Sequence, residues 1–129
     1  MTSQPPSVLL VDDDPDIRDS IRMVLQSEGY SVETAANGAD ALEKLKVRAR
    51  PPHLVLLDLT MPVMNGWKFL ELVNGGQPAE FPVVVISAAV PPKPDNAVSY
   101  LRKPVDLDVL LAKVAEYARP DPVAEHATP

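Results

Sequence analysis

Apolar residues fall along the chain in short solid runs, separated by longer stretches where they recur every three or four positions. Val8-Leu9-Leu10-Val11 is the first run, with prolines before it and aspartates after, and it predicts a buried strand. Asp14-Pro15 then reads as an N-cap followed by proline at the first helical position. Ile17, Ile21, Val24 and Leu25 share one helical face, which Gly29 brings to a stop. Ser31 to Ala35 predicts a second strand. Asn37 caps a second helix, with Asp40 in its first turn and Ala41, Leu42, Leu45 and Ala49 as its inner stripe, ended by Pro51-Pro52. Leu54-Val55-Leu56-Leu57 is apolar at every position, the pattern of a strand covered on both faces. A loop, MPVMNG, leads to a helix around Trp67, Phe69, Leu70 and Val73 that stops at Gly75-Gly76. Val83 to Ile86 predicts a fourth strand and Val98 to Leu101 a weaker fifth. From Asp106 a last helix is expected to turn Leu107, Leu110, Leu111, Val114 and Ala118 inward.

Buried strands alternating with helices specify an open α/β sheet with helices on both faces. The crossover between the fourth and fifth strands departs from that alternation. Only about eleven residues, Ser87 to Ala97, connect them, and Pro91, Pro92 and Pro94 lie among these, whereas a parallel crossover needs roughly a dozen or more. Proline inside a helix costs ~3 kcal/mol, so any helix there is a turn or two at most. The chain thus reads as one domain over residues 7–119, with a disordered N-terminus at 1–6 and a polar, Pro-rich tail or linker stub at 120–129.

Composition narrows the chemistry. The 129 residues are 46% apolar, enough for one substantial core. A net charge of -6 argues against a nucleic-acid backbone as the main partner, because that binding is driven by Lys and Arg. The absence of cysteine excludes disulfides and thiolate metal sites. No apolar run approaches the ~18 residues of a membrane span, and MTSQPPS has no export features. A cytoplasmic protein is expected.

In open α/β sheets the working groups gather at the carboxyl ends of the strands. Asp12, Asp13 and Asp14 follow the first strand, Asp58 the third, Ser87 ends the fourth and Lys103 follows the fifth. An aspartate after a strand is most often a helix cap, and Asp14 is assigned that role. Asp58 stands apart, since a buried strand gives a carboxylate little structural reason to be there. Strands one and three are neighbours in a doubly wound sheet, so Asp12, Asp13 and Asp58 converge. Carboxylates at close range repel unless a cation offsets them. A hard divalent ion such as Mg²⁺, which binds through few carboxylates and keeps waters for a phosphoryl partner, is the natural choice.

These segments resemble the receiver domain of two-component response regulators from about Pro6 to Arg119. The resemblance is carried by VLLVDDDP, LVLLDLTMPVMNGW, VVVISA and YLRKP, above all by the spacing of Asp58, Met61, Pro62, Met64 and Gly66. It implies a flavodoxin-like, doubly wound five-stranded parallel sheet of order 2-1-3-4-5, here with helix 4 shortened or missing. It implies Asp58 as the acceptor of a phosphoryl group from a phosphohistidine, on a sensor histidine kinase or a histidine phosphotransfer domain. Asp13 is implied as the direct Mg²⁺ ligand, with Asp12, Asp58 and the Thr60 carbonyl, and Mn²⁺ as a substitute ion. It further implies Lys103 as the cation that pairs with the phosphoryl oxygens, Ser87 as the switch hydroxyl and Tyr100 as the switch aromatic. Slow self-dephosphorylation by a water opposite Asp58 follows from the same resemblance.

The family places a full fourth helix between the switch hydroxyl and the switch aromatic, where this chain has VPPKPDN. Dimerisation through the usual face is therefore less expected, a monomer more so than is usual for the family, with output through contact with a protein the sequence does not identify. The competing reading is a receiver-like interaction scaffold without regulated phosphorylation. The altered crossover favours it, while the retained Asp12, Asp13, Asp58, Ser87 and Lys103 oppose it. A haloacid-dehalogenase-like phosphatase needs a second acid two residues after its nucleophile, and Thr60 stands there instead.

Overall fold

The computed structural model describes residues 5–61, 63–73, 81–88 and 97–119. Within them the chain runs β1 (Ser7–Val11), α1 (Pro15–Ser27), β2 (Ser31–Ala35), α2 (Gly38–Lys46), β3 (Leu54–Asp58), α3 (Gly66–Leu72), β4 (Val83–Ser87), β5 (Ser99–Arg102) and α4 (Leu107–Tyr117). All strand pairings are parallel, in the order β2-β1-β3-β4-β5. This is the doubly wound sheet expected from the alternation of runs. Four helices lie among the described residues. The PPKP segment, Gly75-Gly76 and the 120–129 tail fall outside the described residues.

The solid apolar runs make two cores because successive strand residues point to opposite faces. Leu9, Val11, Val55, Leu57, Val83 and Val85 pack with Ala41 of α2 and Phe69 and Leu70 of α3. Val8, Leu10, Leu54, Leu56, Val84 and Ile86 pack with Ile21 and Leu25 of α1 and Leu110 and Val114 of α4. Every residue of the central strands β3 and β4 is buried. The buried face of each helix fixes where its N-terminus meets the carboxyl edge of the sheet.

The Asp14 and Asn37 caps form as the sequence indicates, and Asn65 adds one the sequence reading does not include. Asp14 accepts from the N–H groups of Asp16 and Ile17, with Pro15 opening α1. Asn37 accepts from Asp40 N–H, Asn65 from Lys68 N–H, and Asp106 from Asp108 and Val109 N–H. No helix among the described residues is long and apolar enough to cross a membrane.

Three local expectations are corrected. Ala49 is exposed and not part of the α2 stripe, because α2 ends at Lys46 with Val47 as C-cap. There the Arg48 guanidinium turns back to Glu33, to Ser7 Oγ and to the Arg50 carbonyl, drawing the chain out of the helix. Leu107 is exposed rather than inward, as the first helical residue after the Asp106 cap. β5 starts one residue later than expected, and Val98 is exposed.

Candidate functional site

Strand register brings the polar residues together. Val11 pairs with Leu57, so Asp12 leaves β1 beside Asp58, the last residue of β3. Asp58 is in register with Ile86, and Ser87 with Arg102. Lys103 N–H then donates to the Ser87 carbonyl at 2.9 Å, which places Lys103 one step past the β5 edge. The Lys103–Pro104 peptide is cis, a feature the sequence reading does not include.

Carboxylate oxygens of Asp12, Asp13 and Asp58 lie within 4.8 Å of one another. Asp12 and Asp58 are buried and Asp13 is exposed, so the cluster opens to solvent on the Asp13 side. Lys103 Nζ lies 3.0 Å from Asp12 Oδ2 and 3.2 Å from Asp58 Oδ2. The ammonium at 3.0 Å is the partner of the buried Asp12 Oδ2 among the described residues. The other oxygens are directed by main-chain donors: Asp14 N–H to Asp12 Oδ1 at 2.9 Å and Thr60 N–H to Asp58 Oδ1 at 3.1 Å.

One ammonium facing three carboxylates leaves the site short of positive charge. Burial pushes the Asp58 carboxyl above its usual range, and Asp12 adds to this, while Thr60 N–H and Lys103 only partly offset it. Burial alone would lower the Lys103 ammonium. The short contact and charge of Asp12, with Asp58, outweigh it and hold Lys103 above its ordinary value, fully protonated near neutral pH. A cluster of three hard carboxylate ligands, two of them buried, beside a single cation fits a divalent ion such as Mg²⁺.

The loop from β3 to α3 is tied at both ends. Gly66 N–H donates to the Leu59 carbonyl and Gly38 N–H to the Met64 carbonyl, each at 3.0 Å. Between these anchors Val63 is held at φ 69°, a conformation that β-branched residues rarely adopt. At Gly66 a side chain has no room: a Cβ would lie 2.7 Å from the Asp58 carbonyl oxygen and 2.9 Å from Leu59 Cα. Both are backbone atoms that cannot swing aside. Gly66→Ala is therefore expected to cost about 1–3 kcal/mol, read by urea denaturation. Because the displaced atoms belong to Asp58 and Leu59, phosphoryl labelling should fall with it.

All four strand-end groups, Asp12, Asp58, Ser87 and Lys103, thus meet at one edge, with Asp13 at the mouth. Ser87 is buried at the end of β4. Tyr100 is half-buried and packs against the core on the α2–α3 side. Thr60 is exposed and contributes its main-chain N–H. Sequence reasoning passed over Arg18, whose Nη1 donates to the Asp12 carbonyl at 2.8 Å. An arginine four residues after an N-cap aspartate carries no signal that distinguishes it from a solvent-facing one.

Comparison with known proteins bears on the family. The response regulator receiver domain profile matches residues 8–115. The transcriptional regulatory protein GlrR of Escherichia coli is 38% identical over 116 residues, covering 85% of this chain and 26% of GlrR. The chain spans between 26% and 56% of the first curated relatives it matches. Among solved structures, the chemotaxis protein CheY4 of Vibrio cholerae is 31% identical with a TM-score of 0.78, covering 88% of this chain and 98% of CheY4. The response regulator TrrA of Thermotoga maritima, in complex with Mg²⁺ and BeF, is 30% identical with a TM-score of 0.75, covering 87% and 98%. Fold, strand-end residues and sequence profile converge, and the chain belongs to the response regulator receiver domain family.

Proposed function

We propose that this receiver domain accepts a phosphoryl group on Asp58 from the phosphohistidine of a sensor histidine kinase or histidine phosphotransfer domain, in an Mg²⁺-dependent reaction, and signals by protein contact. The observation that carries this reading is the buried Asp58 carboxylate, held between Thr60 N–H and Lys103 Nζ at the edge of an acidic cluster. A carboxylate oxygen of Asp58 attacks phosphorus. The P–N bond to the donor imidazole breaks, its electron pair leaves with the imidazole, and an acyl phosphate remains on Asp58. The donor phosphohistidine supplies the phosphoryl group, so no further co-reactant is needed.

Such a transfer depends on positioning and charge neutralisation more than on covalent chemistry. Thr60 N–H fixes one oxygen of Asp58 and so directs the other toward the donor. Lys103, protonated and anchored by its main-chain bond to Ser87, would meet the phosphoryl oxygens. Asp13 and Asp58, with Asp12 and the Thr60 carbonyl, would hold Mg²⁺, which when bound supplies neutralisation of phosphoryl charge. Ser87, buried beside Lys103, is the hydroxyl assigned to the phosphorylated state, with Tyr100 as its aromatic partner. The Mg²⁺ and BeF in the TrrA structure support the reading by likeness.

The test is intact-protein mass after incubation with phosphoramidate, with and without Mg²⁺. A single adduct that requires Mg²⁺ is the expected result. No adduct under conditions that label a known receiver overturns the proposal and favours an interaction scaffold.

A further inference from the structure

Asp13 is the exposed member of the acidic cluster, and among the described residues no side-chain hydrogen bond or ion pair steadies its carboxylate. Its direction must come from the main chain. Besides its ion pair with Lys103, the preceding residue, Asp12, is held by three hydrogen bonds. Its N–H donates to the Ala35 carbonyl at the end of β2 at 3.1 Å. Its Oδ1 accepts from Asp14 N–H. Its carbonyl accepts from Arg18 Nη1 at 2.8 Å. The peptide unit is planar, so fixing the Asp12 carbonyl also fixes the Asp13 N–H and the line along which Asp13 leaves the strand. Of the three bonds, only the one from Arg18 acts on the unit that joins Asp12 to Asp13.

We infer that Arg18 is a positioning residue for the metal site, holding the Asp12–Asp13 peptide so that the Asp13 carboxylate faces Asp58. The inference rests on the Mg²⁺ reading above. Arg18 suits the task because its guanidinium stays charged and its planar fork is pre-organised, so the bond to a neutral carbonyl is charge-assisted and short.

Two effects of removing Arg18 have opposite signs, which makes the inference testable. Loss of a positive charge near three carboxylates, acting alone, would tighten Mg²⁺ binding. Loss of positioning weakens it. Partners that orient metal ligands are worth about 10–100-fold in affinity, so Arg18→Met is expected to weaken Mg²⁺ binding by about tenfold in titration calorimetry. Arg18→Lys, which keeps charge but not the fork, should fall between the two. A thermal melt without metal measures how much Arg18 contributes to anchoring α1 and is compared separately.

A purely structural role for Arg18 would lower the melting temperature and leave the Mg²⁺ dissociation constant unmoved, and that outcome overturns the inference. So does tighter binding by Arg18→Met. If that variant fails to fold, Arg18→Gln, whose amide stops short of the carbonyl, carries the same expectation and the same contrary result. Wild type that binds no Mg²⁺ sinks both this inference and the proposed function. Wild type that binds while the Arg18 variants bind equally well sinks this inference alone.

Discussion

Asp58→Asn is expected to remove the phosphoryl adduct completely and, without metal, to make the protein more stable near neutral pH. The loss of labelling follows from the loss of the nucleophile, since an amide oxygen does not form a stable acyl phosphate. The gain in stability follows from the upward shift of the Asp58 carboxyl, caused first by burial and then by Asp12. A group whose folded pKa lies above its unfolded value favours folding at low pH. That advantage is lost as pH rises from about 4 through the raised folded value. Ionised Asp58 is thus a cost to the metal-free fold at neutral pH, and asparagine removes it. Lys103 is not stranded, because Asp12 remains 3.0 Å away. A gain of about 1 kcal/mol is expected, in the range found when a functional-site cost is relieved. The gap between the two proteins in urea denaturation should open as pH rises and close again below about pH 4. Saturating Mg²⁺ should narrow it at neutral pH by stabilising the wild type.

Lys103→Met should have the larger effect on stability, in the opposite direction. The Lys103 side chain is 17% exposed, and its partners Asp12 and Asp58 only 1% and 4%, so this is a buried cluster rather than a surface ion pair. Removing one partner of a buried pair leaves uncompensated charge and costs about 3–5 kcal/mol. Without metal the variant is expected to lose about 3 kcal/mol, relieved only as Asp58 takes up a proton. Mg²⁺ replaces part of the missing charge, so the variant should gain more from Mg²⁺ in a thermal melt than wild type does. Labelling is expected to remain slow even with Mg²⁺, by about 10²–10³-fold, the usual effect of losing one group that stabilises transition-state charge. Equal Mg²⁺ stabilisation of variant and wild type would show that Lys103 and the ion do not share a site.

The sheet was legible because its strands are solid apolar runs, and the helix starts because Asp14, Asn37 and Asp106 cap them with side chains. Which strand residue faces which helix pair was not legible. A run apolar at every position carries no period-two signal, and only the register separates Leu9 and Val55 from Leu10 and Leu56. Helix ends misled where an apolar residue stands at helical spacing but the chain has turned away. Ala49 follows the stripe of α2, yet the Arg48 contacts to Glu33 and Ser7 end the helix before it. Leu107 fits the stripe of α4, yet as the first residue of the helix it is exposed.

For the site, the strand-end rule located Asp12, Asp58, Ser87 and Lys103, while their roles came from the family resemblance. The charge balance between one ammonium and three carboxylates needed distances. Arg18 was invisible for a different reason. Its partner is a main-chain carbonyl, which leaves no trace in residue type or spacing.

The central claim is that Asp58, and none of the neighbouring carboxylates, carries the phosphoryl group. The most direct measurement labels the protein with phosphoramidate and Mg²⁺ and reduces the acyl phosphate with borohydride, which converts the modified aspartate to homoserine. Peptide mass spectrometry then reads the position. Homoserine at residue 58 alone, absent when Mg²⁺ is withheld, is the result this account predicts. Homoserine at Asp12 or Asp13, or at no position while a known receiver is labelled in parallel, would contradict it.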